Sequence, residues 1–208
     1  MLSTPELRQQ TTRDYYRLIT GVDEVVGSLV AQLKKLDIDK NTLIVFMGDN
    51  GFLLGEHGLE GKWFGFEESI RVPLIISGGA MPKSLQGISS RQLALNIDIA
   101  PTLLSLAGIH PPDSMQGYDL LAVEQKKRPA RRDFFYEHTY LGSPRLPKVE
   151  GVVTSDLKYM LYTEHGYEEL YDLAKDPHET LNLAKHSSEK VRLEKLRKRY
   201  EELKRQVK

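Results

Sequence analysis

An uncharged apolar run, Thr42-Leu-Ile-Val-Phe-Met47, passes directly into Gly48-Asp49-Asn50-Gly51, and this junction constrains the chain more than any other stretch. Such a run reads as a strand buried on both faces of a parallel sheet. In open α/β sheets the carboxyl ends of strands are where ligands bind. A carboxylate and a carboxamide at that end therefore point to a metal or anion site, with a plain Asx turn closed by Gly51 as the alternative. The following segment ends in Gly61-Lys62-Trp63, which brings a cation back towards the acid pair.

Upstream, Ser3-Thr4-Pro5-Glu6 is a helix-start signal, with Glu6 placed to close a capping box. Leu18, Val22, Val25, Val26, Leu29, Leu33 and Leu36 then recur at helical spacing and predict a stripe that lies on a sheet. Residues 51–70 lack a sustained period and are rich in glycine (Gly51, Gly55, Gly58, Gly61), as functional loops are. Arg71-Val-Pro-Leu-Ile-Ile-Ser77 reads as a second strand, with Pro73 at an edge or start. Asp98 is placed to cap a helix to about Ala107, with Leu103, Leu104 and Leu106 inward and Gly108 as the stop.

The texture changes near residue 125, at the charged joint Lys126-Lys127-Arg128-Pro129. Short alternating segments predict strands near 133–138, 150–154, 157–163 and 168–172 in an antiparallel meander. A charged helix follows over Glu189–Val207, with Val191, Leu193, Leu196, Tyr200 and Leu203 on or near one side. Two domains are expected, 1–124 and 125–208.

Basic and acidic residues balance at 29 each, which favours neither nucleic acid nor an anionic membrane as partner. No apolar stretch approaches the roughly 18 residues of a membrane span. The polar opening of the sequence does not read as a signal peptide. With no cysteine, the chain offers no disulfide, zinc-thiolate site or thiol nucleophile.

Asp49 and Asn50 are hard oxygen donors, suited to one calcium ion or to magnesium rather than zinc. They are two ligands where calcium takes roughly six to eight, so further oxygens must come from elsewhere. Lys62 can neutralise an anion held against that metal. His57, in Gly55-Glu56-His57-Gly58, can donate to the same anion, act as an acid, or simply tie down the loop. Trp63, His138, Tyr140 and Arg145 are candidates to line a substrate pocket. No phosphate-cradling glycine motif, Ser-His-Asp order or zinc spacing is present.

Taken in order, several blocks resemble the sulfatase family of the alkaline-phosphatase superfamily. They are Leu43–Gly51 with Leu54-Gly-Glu-His-Gly58 and Gly61-Lys62; Glu67-Glu-Ser-Ile-Arg-Val-Pro-Leu-Ile75; Asp98-Ile-Ala-Pro-Thr-Leu-Leu-Ser-Leu-Ala-Gly108 with Gln116-Gly117; and Glu169-Leu-Tyr-Asp-Leu173 with Asp176-Pro177, Glu179 and Asn182-Leu183. The resemblance covers about residues 14–184 and corresponds to the C-terminal half of such enzymes. It implies an α/β fold: part of a doubly wound sulfatase core, then a C-terminal antiparallel sheet with a packing helix. It further implies that Asp49 and Asn50 are calcium ligands, that Lys62 contacts the substrate sulfate, and that His57 is a loop histidine near the site.

One departure matters most. The family's nucleophile is a formylglycine made in a Cys/Ser-x-Pro-x-Arg motif, and no such motif is present. Ser3-Thr-Pro5 has the first spacing but carries Leu7 where the arginine belongs. The resemblance thus implies a sulfuric ester hydrolase in truncated form. The nucleophile and the remaining ligands would lie in a missing N-terminal half, and the substrate would be a sulfated small molecule or glycan. Two other readings stay open: a non-catalytic, partner-binding fragment, and a phosphoester or phosphonate hydrolase of the same superfamily. Asn50, where two-zinc relatives carry histidine, favours calcium and sulfate over the latter.

Overall fold

The structure, a computed structural model, describes residues 4–139 and 146–207. The chain forms two compact units, one of residues 1–62 and 68–87, the other of 63–67 and 88–208.

In the first unit, helix α1 (Pro5–Lys35) is capped by Thr4, whose Oγ1 accepts from the Leu7 amide at 3.2 Å. The cap thus lies one residue later than a Ser3 box requires, and Glu6 serves only as a first-turn acid. The helical period is as expected, but α1 buries no residue. Leu18, Val25 and Leu29 stay 71, 60 and 60 % exposed, so the stripe lies on no sheet among the described residues.

Strand β1 (Ile44–Met47) leads into a loop containing the short hairpin β2 (Leu53–Leu54) and β3 (Glu60–Gly61). A single turn, α2 (Glu67–Ile70), and strand β4 (Leu74–Ser77) follow. The expectation of a parallel, doubly buried strand is corrected here. β1 pairs antiparallel with β4, in the register Ile44↔Ser77 to Met47↔Leu74. The loop returns the chain alongside its own strand, and Gly48 N–H donating to Pro73 O at 3.3 Å carries the pairing one step further. β1 is consequently half-buried, with Met47 exposed.

In the second unit, β5 (Asp133–His138), β6 (Val149–Thr154), β7 (Leu157–Tyr162) and β8 (Tyr167–Asp172) form the expected antiparallel meander in sequential order. Before it come α3 (Ile99–Leu106) and α4 (Leu120–Glu124). In α3, Pro101 and Thr102 are buried while Leu103 faces solvent, contrary to the expected inward leucine.

Helix α5 (Lys190–Val207) packs Leu193, Leu196, Tyr200 and Leu203 with Val152, Tyr159 and Leu170 of the sheet. The Tyr200 ring stacks on Phe135 and meets the edge of Tyr159, each with centroids 5.9 Å apart. Val191, expected near that face, is 81 % exposed. No helix among the described residues is long and apolar enough to cross a membrane.

Candidate functional site

The loop after β1 is pinned at both ends by backbone. Gly48 N–H bonds Pro73 O, and Gly51 N–H bonds Ser69 O at 2.8 Å. A Cβ on Gly51 would lie 2.0 Å from the Glu68 carbonyl oxygen and 3.1 Å from that of Arg71. Only glycine fits this approach, which brings the Glu68 backbone against Gly51.

Asp49 Oδ1 accepts from the Asn50 amide at 2.8 Å, one residue on, where an Asx turn bonds the amide two residues on; the Gly51 amide goes to Ser69 O instead. Asn50 Nδ2 donates to Gly51 O at 2.7 Å, which orients the carboxamide. Its Oδ1 then accepts from Lys62 Nζ at 2.8 Å across a sequence separation of 12. The cation expected to return to the acid pair does so through Asn50.

His57 takes another partner. It sits at φ 54, in the left-handed region, inside the turn Glu56–Gly58. Its Nε2 is 3.4 Å from Glu68 Oε2, with the two side chains 15 and 20 % exposed. Glu56 ties the same turn by accepting from the Leu54 amide. His57 is therefore one residue removed from the Asp49 loop, linked to it by Glu68. Glu68 is the participant that sequence reasoning missed; a carboxylate just before β4, which pairs with β1, was the signal available.

Of the pocket candidates, Tyr140 and Arg145 lie outside the described residues. Trp63 and His138 belong to the second unit. Among the described residues no group of three or more His, Cys, Asp or Glu is placed to hold a metal. The Asp49 carboxylate and Asn50 carboxamide fit a hard divalent cation in kind but fall short in number.

Residues 55–206 match the family model described as N-sulphoglucosamine sulphohydrolase, C-terminal. The chain belongs to the sulfatase family. It is 36 % identical over 182 residues to an N-acetylglucosamine-6-O-sulfatase of Bacteroides thetaiotaomicron, covering 84 % of this chain and 32 % of that protein. A solved structure of a protein in complex with its substrate D-glucosamine-2-N,6-O-disulfate superposes with a TM-score of 0.87 at 32 % identity, over 96 % of this chain and 41 % of that one. A phosphonate monoester hydrolase of Agrobacterium radiobacter superposes with a TM-score of 0.81 at 26 % identity, over 92 % of this chain and 41 % of that one. The chain thus spans about a third of the curated relative's length. The mixed α/β architecture expected from the sequence is that of the sulfatase structures it superposes on.

Proposed function

We propose that this chain carries the calcium- and sulfate-binding part of a sulfatase site and works with catalytic groups it does not itself contain. The observation that carries the reading is the Lys62 Nζ–Asn50 Oδ1 contact at 2.8 Å, at the end of β1 and within the first of the blocks that resemble the family. Asp49 and Asn50 would hold one calcium ion, the carboxamide oxygen having two lone pairs to share. When bound, the ion supplies charge neutralisation at the sulfuryl oxygens of a sulfate ester. Lys62 binds a sulfuryl oxygen as a point charge and stabilises the charge that develops as the ester bond breaks. His57, with Nε2 3.4 Å from Glu68, serves as a loop histidine near the site.

The relatives named above support a sulfated amino sugar as substrate class, with the phosphonate ester hydrolase favouring a second reading in which the transferred group is phosphorus-centred. The 208 residues hold no cysteine and no Ser-x-Pro-x-Arg segment, so the nucleophile and remaining ligands are proposed to come from sequence equivalent to the rest of the relatives.

Calorimetric titration with calcium tests the metal assignment. Weak binding is expected, about 10⁻⁴–10⁻³ M as in sparsely liganded sites, and loss of the signal in Asp49→Ala. Tight binding unchanged by Asp49→Ala would overturn it. The purified chain is expected not to turn over an aryl sulfate or an aryl phosphonate. Turnover lost in Lys62→Ala would show a complete site and overturn the partial-site reading, and the better ester would then decide between the two readings.

A further inference from the structure

We infer that Lys158 and Glu179 are positioning residues that grip segment 63–67 and thereby set the spacing of Lys62 and Glu68 at its two ends. The inference rests on the reading of Lys62 as the sulfate-binding residue.

The grip is polar and buried. Lys158 is the second residue of β7, with its side chain fully buried and three oxygens close around its ammonium. Nζ donates to Gly65 O at 2.9 Å and lies 2.8 Å from both Glu67 Oε1 and Glu179 Oε1. Glu179 Oε2 accepts the Glu67 amide at 2.6 Å. The pair therefore holds a carbonyl, an amide and a carboxylate within three residues of one segment.

Apolar contacts complete it. Phe66 is buried, with its ring 6.1 Å from that of Tyr171. A Cβ on Gly65 would come within 2.9 Å of the Met160 side chain. Buried charges of this sort are weak evidence for stability, because desolvation offsets their attraction. They do impose geometry, since each lost partner leaves a costly orphan.

Strain on both sides of the contact points the same way. Trp63 sits at φ 83 and Glu179 at φ 51, both left-handed and neither glycine. Such conformations persist only where the surroundings over-determine them. The Glu179 turn is itself prearranged by Asp176, which accepts from Thr180 Oγ1 at 3.1 Å and from the Leu181 amide at 2.9 Å. Segment 63–67 is joined by peptide bonds to Lys62, which contacts Asn50, and to Glu68, which faces His57. Holding the five residues in one conformation sets the spacing between the backbone of Lys62 and that of Glu68.

The test uses two readouts on the whole chain, without calcium or substrate. Trp63 is the only tryptophan, so acrylamide quenching of its fluorescence reports the segment. Acetic anhydride labelling, quantified by mass spectrometry, reports the Lys62 amine against Lys40, whose side chain is 85 % exposed. Glu179→Ala is expected to raise Trp63 quenching and to raise Lys62 labelling about fivefold, the factor for losing one hydrogen bond, with Lys40 unchanged. Glu179→Gln keeps an acceptor for the Glu67 amide and should restore most of the protection. Leu196→Ala, in the sheet–helix core, should lower Tm and leave both readouts as in wild type.

Lys158→Met fills similar volume without the ammonium and should reproduce the effect of Glu179→Ala; it decides if the alanine variant does not fold. Unchanged Lys62 labelling in a folded Glu179→Ala or Lys158→Met protein overturns the inference. Because neither readout involves calcium or sulfate, failure of the metal and sulfate reading leaves them unmoved, and failure of the grip leaves the calcium titration unmoved.

Discussion

Replacing Asp98 by alanine should be among the most damaging single changes in the second unit. Asp98 is fully buried, and its carboxylate accepts four hydrogen bonds. Two come from Arg131, at 2.6 and 2.8 Å, and two from the backbone amides of Leu95 and Tyr118, at 2.7 and 2.6 Å. The Arg131 side chain is itself 8 % exposed, with its guanidinium 4.1 Å above the Tyr118 ring. Alanine would strand a buried cation and two backbone donors together. Breaking a buried pair from one side costs about 3–5 kcal/mol, and each orphaned amide about 1–3 kcal/mol more if it stays dry. These costs overlap, because the loop can open to water, so about 4 kcal/mol is the working figure.

Urea denaturation followed by far-UV circular dichroism measures it, as a lower midpoint at unchanged slope. The double variant Asp98→Ala/Arg131→Met should cost clearly less than the sum of its singles, because removing both partners leaves no unpaired charge. A cost for Asp98→Ala below about 1 kcal/mol, the range of a surface ion pair, would refute the reasoning, as would additivity in the double variant.

Gly51→Ala should force the Glu68 backbone away, costing about 1–3 kcal/mol by overpacking and weakening whatever calcium binding the titration finds. The cost of truncating leucine should track burial. Leu196→Ala, at 5 % exposure in the α5 core, is expected to lose about 2–5 kcal/mol, while Leu18→Ala, at 71 % exposure on α1, should stay within about 0.5 kcal/mol by thermal melting. The Arg197 guanidinium, then the Tyr159 hydroxyl, hold the Glu168 carboxyl below its ordinary value of 4.5. A lowered carboxyl contributes stability above its unfolded value and loses it as pH falls through the folded one. Melting temperature should therefore drop on acidification below about pH 4.5, and Glu168→Gln should flatten that part of the profile.

What the sequence made readable depended on how far each group's partner lay along the chain. The meander was readable because its turns and alternation are local, and β5 to β8 fall almost where alternation places them. The Asp49-Asn50-Gly51 loop was readable because carboxylate, carboxamide and glycine are contiguous, and Lys62 is only 12 residues from Asn50. The direction of β1 was not, since an apolar run carries no record of its neighbour's polarity. Antiparallel pairing followed from a loop that folds back through Gly48 and Pro73. Asp98 was read as a helix cap because Asp before an apolar run is a local signal. It does stand at the N-cap of α3, but its side chain caps no amide of that helix and accepts instead from Leu95, Tyr118 and Arg131, the last at a separation of 33 residues.

Lys158 marks the boundary between the two cases. In Leu157-Lys-Tyr-Met-Leu-Tyr162, strict alternation puts Lys158 on the same face as Met160 and Tyr162, and all three are buried. A lysine on an otherwise buried face is a legible anomaly, because an ammonium is almost never buried without a partner. The sequence thus announces that an anion must meet β7 from elsewhere. It does not say which one, since the two acids that answer lie 91 residues upstream at Glu67 and 21 downstream at Glu179. The family blocks containing them, Glu67–Ile75 and Asp176–Leu183, lie far apart in the chain. Their shared partner gives both a physical reason: each supplies one carboxylate to a single buried ammonium, and Glu67 is the residue before Glu68.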